Sequence, residues 1–151
     1  MQYTTEILIQ KPIAEVIKKM DSVENMKHWQ DGLVSAEHIS GTPGELGAKI
    51  KLNYSFGKQK MHITEIITKR NFPNELHATY STKGVRSIKE NYFESYKEGC
   101  TKWITKNEFQ PTTLQMSIML FLMPKAFRKQ TKKYMQNFKF FVEQGTSIVN
   151  A

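Results

Sequence analysis

The stretch "KAFRKQTKKYMQNFKFFVE", residues 125–143, decides the fold because it predicts a long helix with two unlike faces. Its apolar stripe recurs at helical spacing and consists of Phe127, Thr131, Tyr134, Phe138 and Phe141. The opposite face is basic and carries Lys125, Arg128, Lys129, Lys132, Lys133 and Lys139. Such a helix has to bury its aromatic stripe against another element, so the rest of the chain must supply a matching surface.

An antiparallel sheet is the predicted surface. The segment "YTTEILI", residues 3–9, alternates as a half-buried strand does, and Pro12 then suits the first turn of a helix. A second short helix is predicted over "SVENMKHW", residues 22–29. From Leu33 to about Phe109, turn-forming breaks divide the chain into six further strands. These breaks fall at 41–47, 57–58, 71–74, 83–84 and 97–99.

The stretch "GTPGELGAK", residues 41–49, has a glycine at every third position and ends on a lysine, two features that phosphate-binding loops share. Its spacing matches neither the P-loop nor the dinucleotide fingerprint. A period-2 strand, "AKIKLNYSF", follows it, whereas a phosphate loop opens a helix. The glycines are therefore predicted to shape a turn between two strands.

Four segments in this order resemble a known superfamily: "EILIQKPIAEVIKKMDSVENMKHWQDGL" (6–33), "SGTPGELGAKIKL" (40–52), "YKEGCTKWI" (96–104) and "LMPKAFRKQTKKYMQNFKFFVE" (122–143). The sequence resembles the START-like, or Bet v 1-like (SRPBCC), superfamily, close to its bacterial polyketide cyclase/dehydrase and lipid-transport group. The resemblance covers nearly the whole chain. It rests on the order and spacing of these segments together, since no single motif among them is diagnostic.

The resemblance implies one α+β domain over residues 1–151 with a helix-grip fold. In that fold a seven-stranded antiparallel sheet curves around a long C-terminal helix, and two short helices follow the first strand. An apolar cavity lies between sheet and helix, where members bind lipids, sterols, polyketides or other flat hydrophobic molecules. Some members are enzymes, but catalytic residues are not shared across the superfamily. The catalytic residues of this chain are therefore left unassigned.

The predicted cavity residues come from the strands, the short-helix segment that ends at Trp29, the apolar run 114–124 and the long helix. In "TKWITKNEF", residues 101–109, alternation places Trp103, Thr105 and Asn107 on one inward face. Thr105 and Asn107 need hydrogen bonds there, either within the protein or with a ligand and water. The predicted ligand-binding set is Trp29, Leu52, Tyr54, Phe56, Met61, Ile63, Tyr80, Trp103, Thr105, Asn107, Leu120, Phe127 and Tyr134.

Two functions remain open at this stage. The first is a carrier that binds a hydrophobic small molecule or lipid without catalysis; the alternative is a polyketide cyclase or dehydratase acting in the same cavity. Arg86 and Glu90 share one face of "VRSIKENYFES", residues 85–95, and would favour the enzyme if they pointed inward. An outward orientation is favoured for them, although alternation alone does not decide it.

Other reactive side chains have structural explanations. Asp21 and Glu24 have the spacing of a helix N-terminal capping box, and Glu24 with His28 that of a surface pair. The remaining histidines are expected to be exposed or at the cavity rim, without a metal: His38, His62 and His77. Cys100 is the single cysteine, so no internal disulfide forms. No cofactor is expected.

Charge suggests one further partner. The 151 residues include 22 Lys and Arg against 14 Asp and Glu, a net charge of +8. The basic side chains from Lys125 to Lys139 on the last helix form either a solvated surface or a contact with an anionic membrane or acidic partner. Nucleic-acid binding is not expected, because no recognised motif is present. The N-terminus lacks the features of a signal peptide, which predicts a cytoplasmic location, and the oligomeric state is not predicted.

The apolar run "LQMSIMLFLMP", residues 114–124, contains Gln115 and Ser117 and is about half the ~20 residues that a membrane-spanning helix needs. It is predicted to be a buried or interfacial element. Pro124 is expected to interrupt the helix there, because it has no amide hydrogen.

Overall fold

Seven strands and three α-helices make up the fold of residues 1–150, the part of the chain that the computed structural model describes. The strands are β1 Gln2–Ile9, β2 Leu33–Ser40, β3 Lys49–Phe56, β4 Gln59–Asn71, β5 Glu75–Thr82, β6 Val85–Ser95 and β7 Thr101–Pro111. The helices are α1 Ile13–Met20, α2 Leu114–Leu122 and α3 Pro124–Gln144. Two single 3₁₀ turns cover Met26–His28 and Ile148–Asn150.

The strands form one sheet in the order β1-β7-β6-β5-β4-β3-β2, and each neighbouring pair is antiparallel. Strands β2 to β7 follow one another as hairpins, and β1 forms the edge of the sheet beside β7. The predicted seven-stranded antiparallel sheet with a long C-terminal helix is confirmed. No helix of the described chain is long and apolar enough to cross a bilayer.

The aromatic stripe of α3 packs against the inner face of this sheet. Phe138 has no exposed surface, and its ring lies 5.2 Å from that of Trp103 in an edge-to-face arrangement. Phe93 and Ile9 are also fully buried in the same core. Because large aromatic side chains bury extensive apolar area, this contact is a main source of the stability of the fold.

The glycine-rich connection between β2 and β3 is a turn, as predicted. Gly41 has a φ of +79°, and a Cβ atom there would lie 3.0 Å from the Ala48 Cα. The amide of Gly47 donates to the Ile67 carbonyl at 2.8 Å, and the Ala48 amide donates to the Glu45 carbonyl at 3.0 Å. These amides are engaged within the fold, so they are not arranged to hold a phosphate.

The second short helix is present but shorter than predicted: it is the 3₁₀ turn Met26–His28, inside residues 22–29. The predicted capping box of Asp21 with Glu24 is wrong, because Asn25 is the N-cap residue of this turn. Asp21 ends α1 and pairs with Arg70, while the Ser22 Oγ accepts a hydrogen bond from the Asn25 amide at 3.3 Å. A bidentate arginine contact from a distant strand has displaced the local cap, and the sequence spacing carried no sign of that partner.

The predicted surface pair of Glu24 with His28 is also wrong. The His28 Nδ1 lies 2.7 Å from the Ser147 Oγ, and the imidazole stacks on Phe141. His28 therefore ties the 3₁₀ turn to the C-terminal part of the chain.

A β-bulge in β4 changes which side chains face inward. Ile67 pairs with Ala78 and Lys69 pairs with His77, so Thr68 is an extra residue in this strand. An extra residue reverses the alternation beyond it. As a result, Arg70 lies on the same side of the sheet as Ile67.

Pro124 separates α2 from α3, as expected. It occupies the first position of α3, where its missing amide hydrogen costs nothing. The apolar segment before it forms α2, whose N-cap Thr113 accepts a hydrogen bond from the Met116 amide at 3.2 Å. Most of α2 is exposed, so it is not a buried element.

Candidate ligand-binding cavity

A cavity of about 580 Å³ lies between the inner face of the sheet and α3. This volume falls within the range of about 300–1,000 Å³ that is usual for small-molecule sites. Much of its wall is apolar and comes from Trp29, Ile50, Ile67, Trp103 and Met135. The sheet and α3 diverge enough here to leave space that the core side chains do not fill.

Three ionisable side chains meet on the inner face of neighbouring strands. Glu65 in β4 stands directly opposite Tyr80 in β5, and Lys89 in β6 stands opposite Ala78, two residues before Tyr80. The Lys89 Nζ lies 5.4 Å from the centre of the Tyr80 ring. Ala78 leaves room between the longer side chains, so the cluster of Glu65, Tyr80 and Lys89 lines the cavity.

The surroundings disfavour charge on this cluster. Burial raises the pKa of Glu65, while a hydrogen bond with Tyr80 and the charge of Lys89 partly offset the rise. Burial lowers the pKa of Lys89, with the charge of Glu65 opposing that change. Burial also raises the pKa of Tyr80 well above its ordinary value. Groups with such shifts are frequent at functional sites, although structural networks produce them too.

Glu65 and Lys89 do not form a direct ion pair. Among the ion pairs of residues 1–150, none joins Lys89 to Glu65. Both side chains therefore retain hydrogen-bonding capacity toward a polar group in the cavity. Lys89 can donate hydrogen bonds to such a group, and the oxygen atoms of Glu65 and Tyr80 can accept them.

The polar side chains of Trp103 and Thr105 in the cavity wall have hydrogen-bond partners within the protein. The Trp103 Nε1 donates to the Asn91 Oδ1 at 3.0 Å, and the Asn107 Nδ2 donates to the Thr105 Oγ1 at 3.4 Å. Thr105 and Asn107 were expected to need hydrogen bonds from either the protein or a ligand. The protein supplies one, since each of the two side chains is a partner for the other.

Arg70 joins three chain segments at the rim of the cavity. Its guanidinium donates to both carboxylate oxygens of Asp21, at 2.8 and 2.7 Å, and to the Gly44 carbonyl at 2.7 Å. Glu45 lies 3.6 Å away from the same group. The hydrogen bond with Asp21 raises the pKa of Arg70. This rim network holds the glycine loop and the end of α1 against β4.

Five of the thirteen predicted ligand-binding residues line the cavity: Trp29, Tyr80, Trp103, Thr105 and Tyr134. Leu52, Tyr54 and Ile63 belong to the core that supports the wall, and the Tyr54 hydroxyl donates to the Gln30 Oε1 at 2.6 Å. Their strand faces were predicted correctly. These residues lie beside the cavity because of their position along the strands. Alternation shows which face of the sheet a side chain is on, but not how far along the strand it lies.

The other predicted residues lie further from the cavity. Phe56 and Met61 sit near the exposed hairpin between β3 and β4, and Asn107 lies beyond Thr105 on β7. Leu120 is buried in α2, and the Phe127 ring packs 5.0 Å from that of Phe109. A role in ligand binding stays a prediction for all thirteen residues.

The outward orientation favoured for Arg86 and Glu90 agrees with the structure. Arg86 is exposed and donates to the Gln110 Oε1 at 3.3 Å, and the Tyr92 hydroxyl donates to the Glu90 Oε2 at 2.7 Å. The same alternation that turns these residues outward turns Lys89 inward, so the sequence pattern itself indicates an inward lysine. Glu65 carried a similar signal, because it stands between the inward Ile63 and Ile67.

The three strand histidines differ in position. His38 is exposed at the cavity rim, and His62 is exposed with its Nδ1 2.6 Å from the Asn53 Oδ1, so both agree with the prediction. His77 does not, because it is half-buried on the outer face beside Tyr92, and burial lowers its pKa. No group of three or more potential metal-binding side chains occurs in the described part of the chain.

The fold is the Bet v 1-like, or SRPBCC, helix-grip fold. Solved structures that share it include Ara h 8.0201 (TM-score 0.76, 13% identity, 94% of this chain and 97% of that one). A conserved protein from Geobacillus kaustophilus is similar as well (TM-score 0.77, 13% identity, 94% and 95%). So is ginseng major latex-like protein 151 from Panax ginseng (TM-score 0.69, 10% identity, 92% and 95%).

These identities establish the common fold and nothing finer. The sequence matches no protein-family model and no curated protein.

Proposed function

We propose that this protein binds a hydrophobic small molecule or lipid that carries one polar group. The observation that carries the proposal is an apolar-walled cavity of about 580 Å³ with Glu65, Tyr80 and Lys89 on one of its walls. The apolar body of the ligand would lie against Trp29, Trp103 and α3, where burial provides the binding free energy. Its polar group would meet the ionisable cluster, which would fix its orientation.

An unsatisfied donor also supports occupancy. The Trp29 Nε1 is buried and has no hydrogen-bond partner within residues 1–150. Such a group costs free energy unless a water or a ligand atom accepts its hydrogen. Trp29 is part of the cavity wall, so a bound molecule or a water carried with it would be near.

Intrinsic fluorescence provides a direct test, because both tryptophans of the chain line the cavity. Titration with oleic acid and with oleyl alcohol should change tryptophan emission and saturate, with dissociation constants on the order of micromolar. Lys89→Met should weaken oleic acid binding by about tenfold and leave oleyl alcohol binding nearly unchanged, since only the acid offers a carboxylate. Lys106→Met, on the outer face of β7, is the matched control.

Native mass spectrometry of the freshly purified protein complements the titration by looking for a molecule retained from the host cell. Absence of a retained molecule, together with no saturable change of emission for any apolar probe, would refute the proposal. The cavity would then be closed in solution.

A second candidate function is catalysis in the same cavity on a polyketide-like substrate, as a cyclase or dehydratase. The observation that favours it is the position of Glu65, a carboxyl with a raised pKa, beside the donors Tyr80 and Lys89. The ionised form of this carboxyl can take a proton from carbon next to a carbonyl and becomes the neutral acid, and the two donors can stabilise the oxygen that becomes negative.

Recovery of a retained molecule separates the two candidates. A catalyst converts it on incubation, and Glu65→Gln stops the conversion while binding persists. A carrier releases the same molecule unchanged, and Glu65→Gln changes only the affinity.

A further inference from the structure

Helix α2 exposes an apolar surface that the rest of the described chain leaves uncovered. Of its nine residues only Leu120 is buried, whereas Phe121 is 83% exposed and Leu122 is 68% exposed. We call this surface the α2 patch; its members are Leu114, Ile118, Met119, Phe121, Leu122 and the adjoining Met123. Single exposed apolar residues are ordinary, but a contiguous group marks a contact surface.

Basic side chains follow the α2 patch immediately. Lys125, Lys129, Lys132 and Lys133 recur at helical spacing on the outer side of α3, and all four are exposed. Between Glu108 and Glu143 the sequence contains no Asp or Glu at all. We call these four lysines the basic face. An acidic residue elsewhere, Asp31, reaches one of them, with its carboxylate 3.0 Å from the Lys133 Nζ.

We propose that the α2 patch and the basic face dock this protein on a membrane surface that contains anionic phospholipid. Phe121 and Leu122 would enter the boundary between headgroups and acyl chains, while the lysines meet lipid phosphates. A helix of nine residues is far too short to cross the bilayer, so α2 would lie in the interface. Apolar insertion and charge attraction act together in this arrangement, and each alone gives weak binding.

Charge complementarity favours a lipid surface over a second copy of the chain. Packing two α2 patches against each other would bring two basic faces near one another, and that repulsion opposes association. An anionic bilayer satisfies both features at once, because it offers an apolar interior beneath a negative surface. The helix that carries the basic face also contributes Thr131 and Tyr134 to the cavity wall. Docking therefore places α3 between the lipid surface and the cavity.

Vesicle flotation tests the proposal. The purified protein is mixed with vesicles of phosphatidylcholine alone, or of phosphatidylcholine with phosphatidylserine as about a third of the lipid. We expect flotation with the anionic vesicles only, and a decline as salt concentration rises. Each lysine near the surface contributes about fivefold in affinity, so the triple variant Lys125→Gln, Lys129→Gln and Lys132→Gln should bind at least tenfold more weakly.

The apolar contribution is tested by a second variant. Replacement of both Phe121→Ser and Leu122→Ser should reduce binding at least tenfold, because two large side chains leave the acyl boundary. Leu46→Ser is its matched control, since Leu46 is 67% exposed in the glycine loop. Lys58→Gln with Lys60→Gln is the control for charge, on the hairpin between β3 and β4. Circular dichroism and thermal unfolding establish that each variant is folded.

Equal flotation with neutral and anionic vesicles, or unchanged flotation of both sets of variants, would overturn the proposal. So would a wild-type dimer in sedimentation velocity that becomes a monomer on Phe121→Ser and does not float, because the α2 patch would then join two copies. Vesicle binding requires no molecule in the cavity. Its outcome is therefore independent of the oleic acid titration that tests the proposed function.

Discussion

Glu65 and Tyr80 stand opposite each other across β4 and β5, with both side chains in the cavity. Lys89, on the next strand, completes a polar cluster that burial makes costly when charged. The folded-state pKa of Glu65 is raised above its ordinary value of 4.5, so its ionised form reduces stability at pH above that value. The folded-state pKa of Lys89 is lowered from 10.5, so its charged form reduces stability at pH below that value.

Neutralising the cluster should therefore stabilise the fold. The double variant Glu65→Gln, Lys89→Met should raise the free energy of unfolding near pH 7 by about 1–3 kcal/mol and weaken binding of oleic acid. Urea denaturation measures the first effect. The matched control is Glu90→Gln, Lys106→Met, a directly opposed pair on the outer face, which should give no gain. A double variant less stable than wild type would show that the cluster is structural.

Loss of the Arg70 network should loosen the cavity rim. Arg70→Lys cannot make the two parallel hydrogen bonds to Asp21, and these contacts are only partly shielded from water. We expect oleic acid to dissociate about fivefold faster, which corresponds to roughly 1 kcal/mol for a partly exposed pair. Stopped-flow fluorescence measures the rate. Lys69→Gln removes a neighbouring outer-face ion pair at 2.7 Å and should leave the rate unchanged.

His77 should make stability fall on acidification. Burial lowers its folded-state pKa below the ordinary 6.5, so the unfolded chain binds the proton more readily. The neutral His77 side chain makes its full contribution to stability above pH 6.5. This contribution is lost as the pH falls from that value through the folded-state pKa. His77→Gln should therefore reduce the loss of stability between about pH 7 and pH 5, measured by urea denaturation. His62→Gln, at an exposed position, should follow the wild-type profile.

Two neighbouring phenylalanines in α3 test where the core lies. Phe138→Ala should lower the free energy of unfolding by about 3–5 kcal/mol, because the side chain is fully buried and a cavity remains. Phe140→Ala, at a position that is 37% exposed, should cost less than about 1.5 kcal/mol. Thermal unfolding compares them. Similar losses for both would contradict the packing of α3 described above.

The fold could be predicted because its signals are local. Period-2 alternation in β3 and β7 and the helical stripe of α3 each follow from burial of one face, and the turns are marked by glycine. The second short helix is shorter than predicted and lacks its capping box, because residues at both ends of this segment are held by distant partners: Asp21 by Arg70 and His28 by Ser147.

The cavity was less accessible to prediction than the fold. Alternation gave the correct face for Trp103 and Thr105, but how far along the sheet a residue lies depends on strand stagger and curvature. Glu65 and Lys89 are separated by 24 positions, and only the pairing of three strands brings them to one wall. Sequence spacing contains no measure of that distance.

The bulge at Thr68 has a consequence for comparing this chain with others of the same fold. One extra backbone residue decides that Arg70, and not Lys69, reaches Asp21, so the rim contact depends on a residue count as much as on residue type. A sequence alignment that places the gap for this extra residue elsewhere in β4 matches Arg70 with residues that face the other side of the sheet. The equivalent position in a distant relative has to be located from strand register, and an arginine displaced by one place can fill it wherever the bulge is missing.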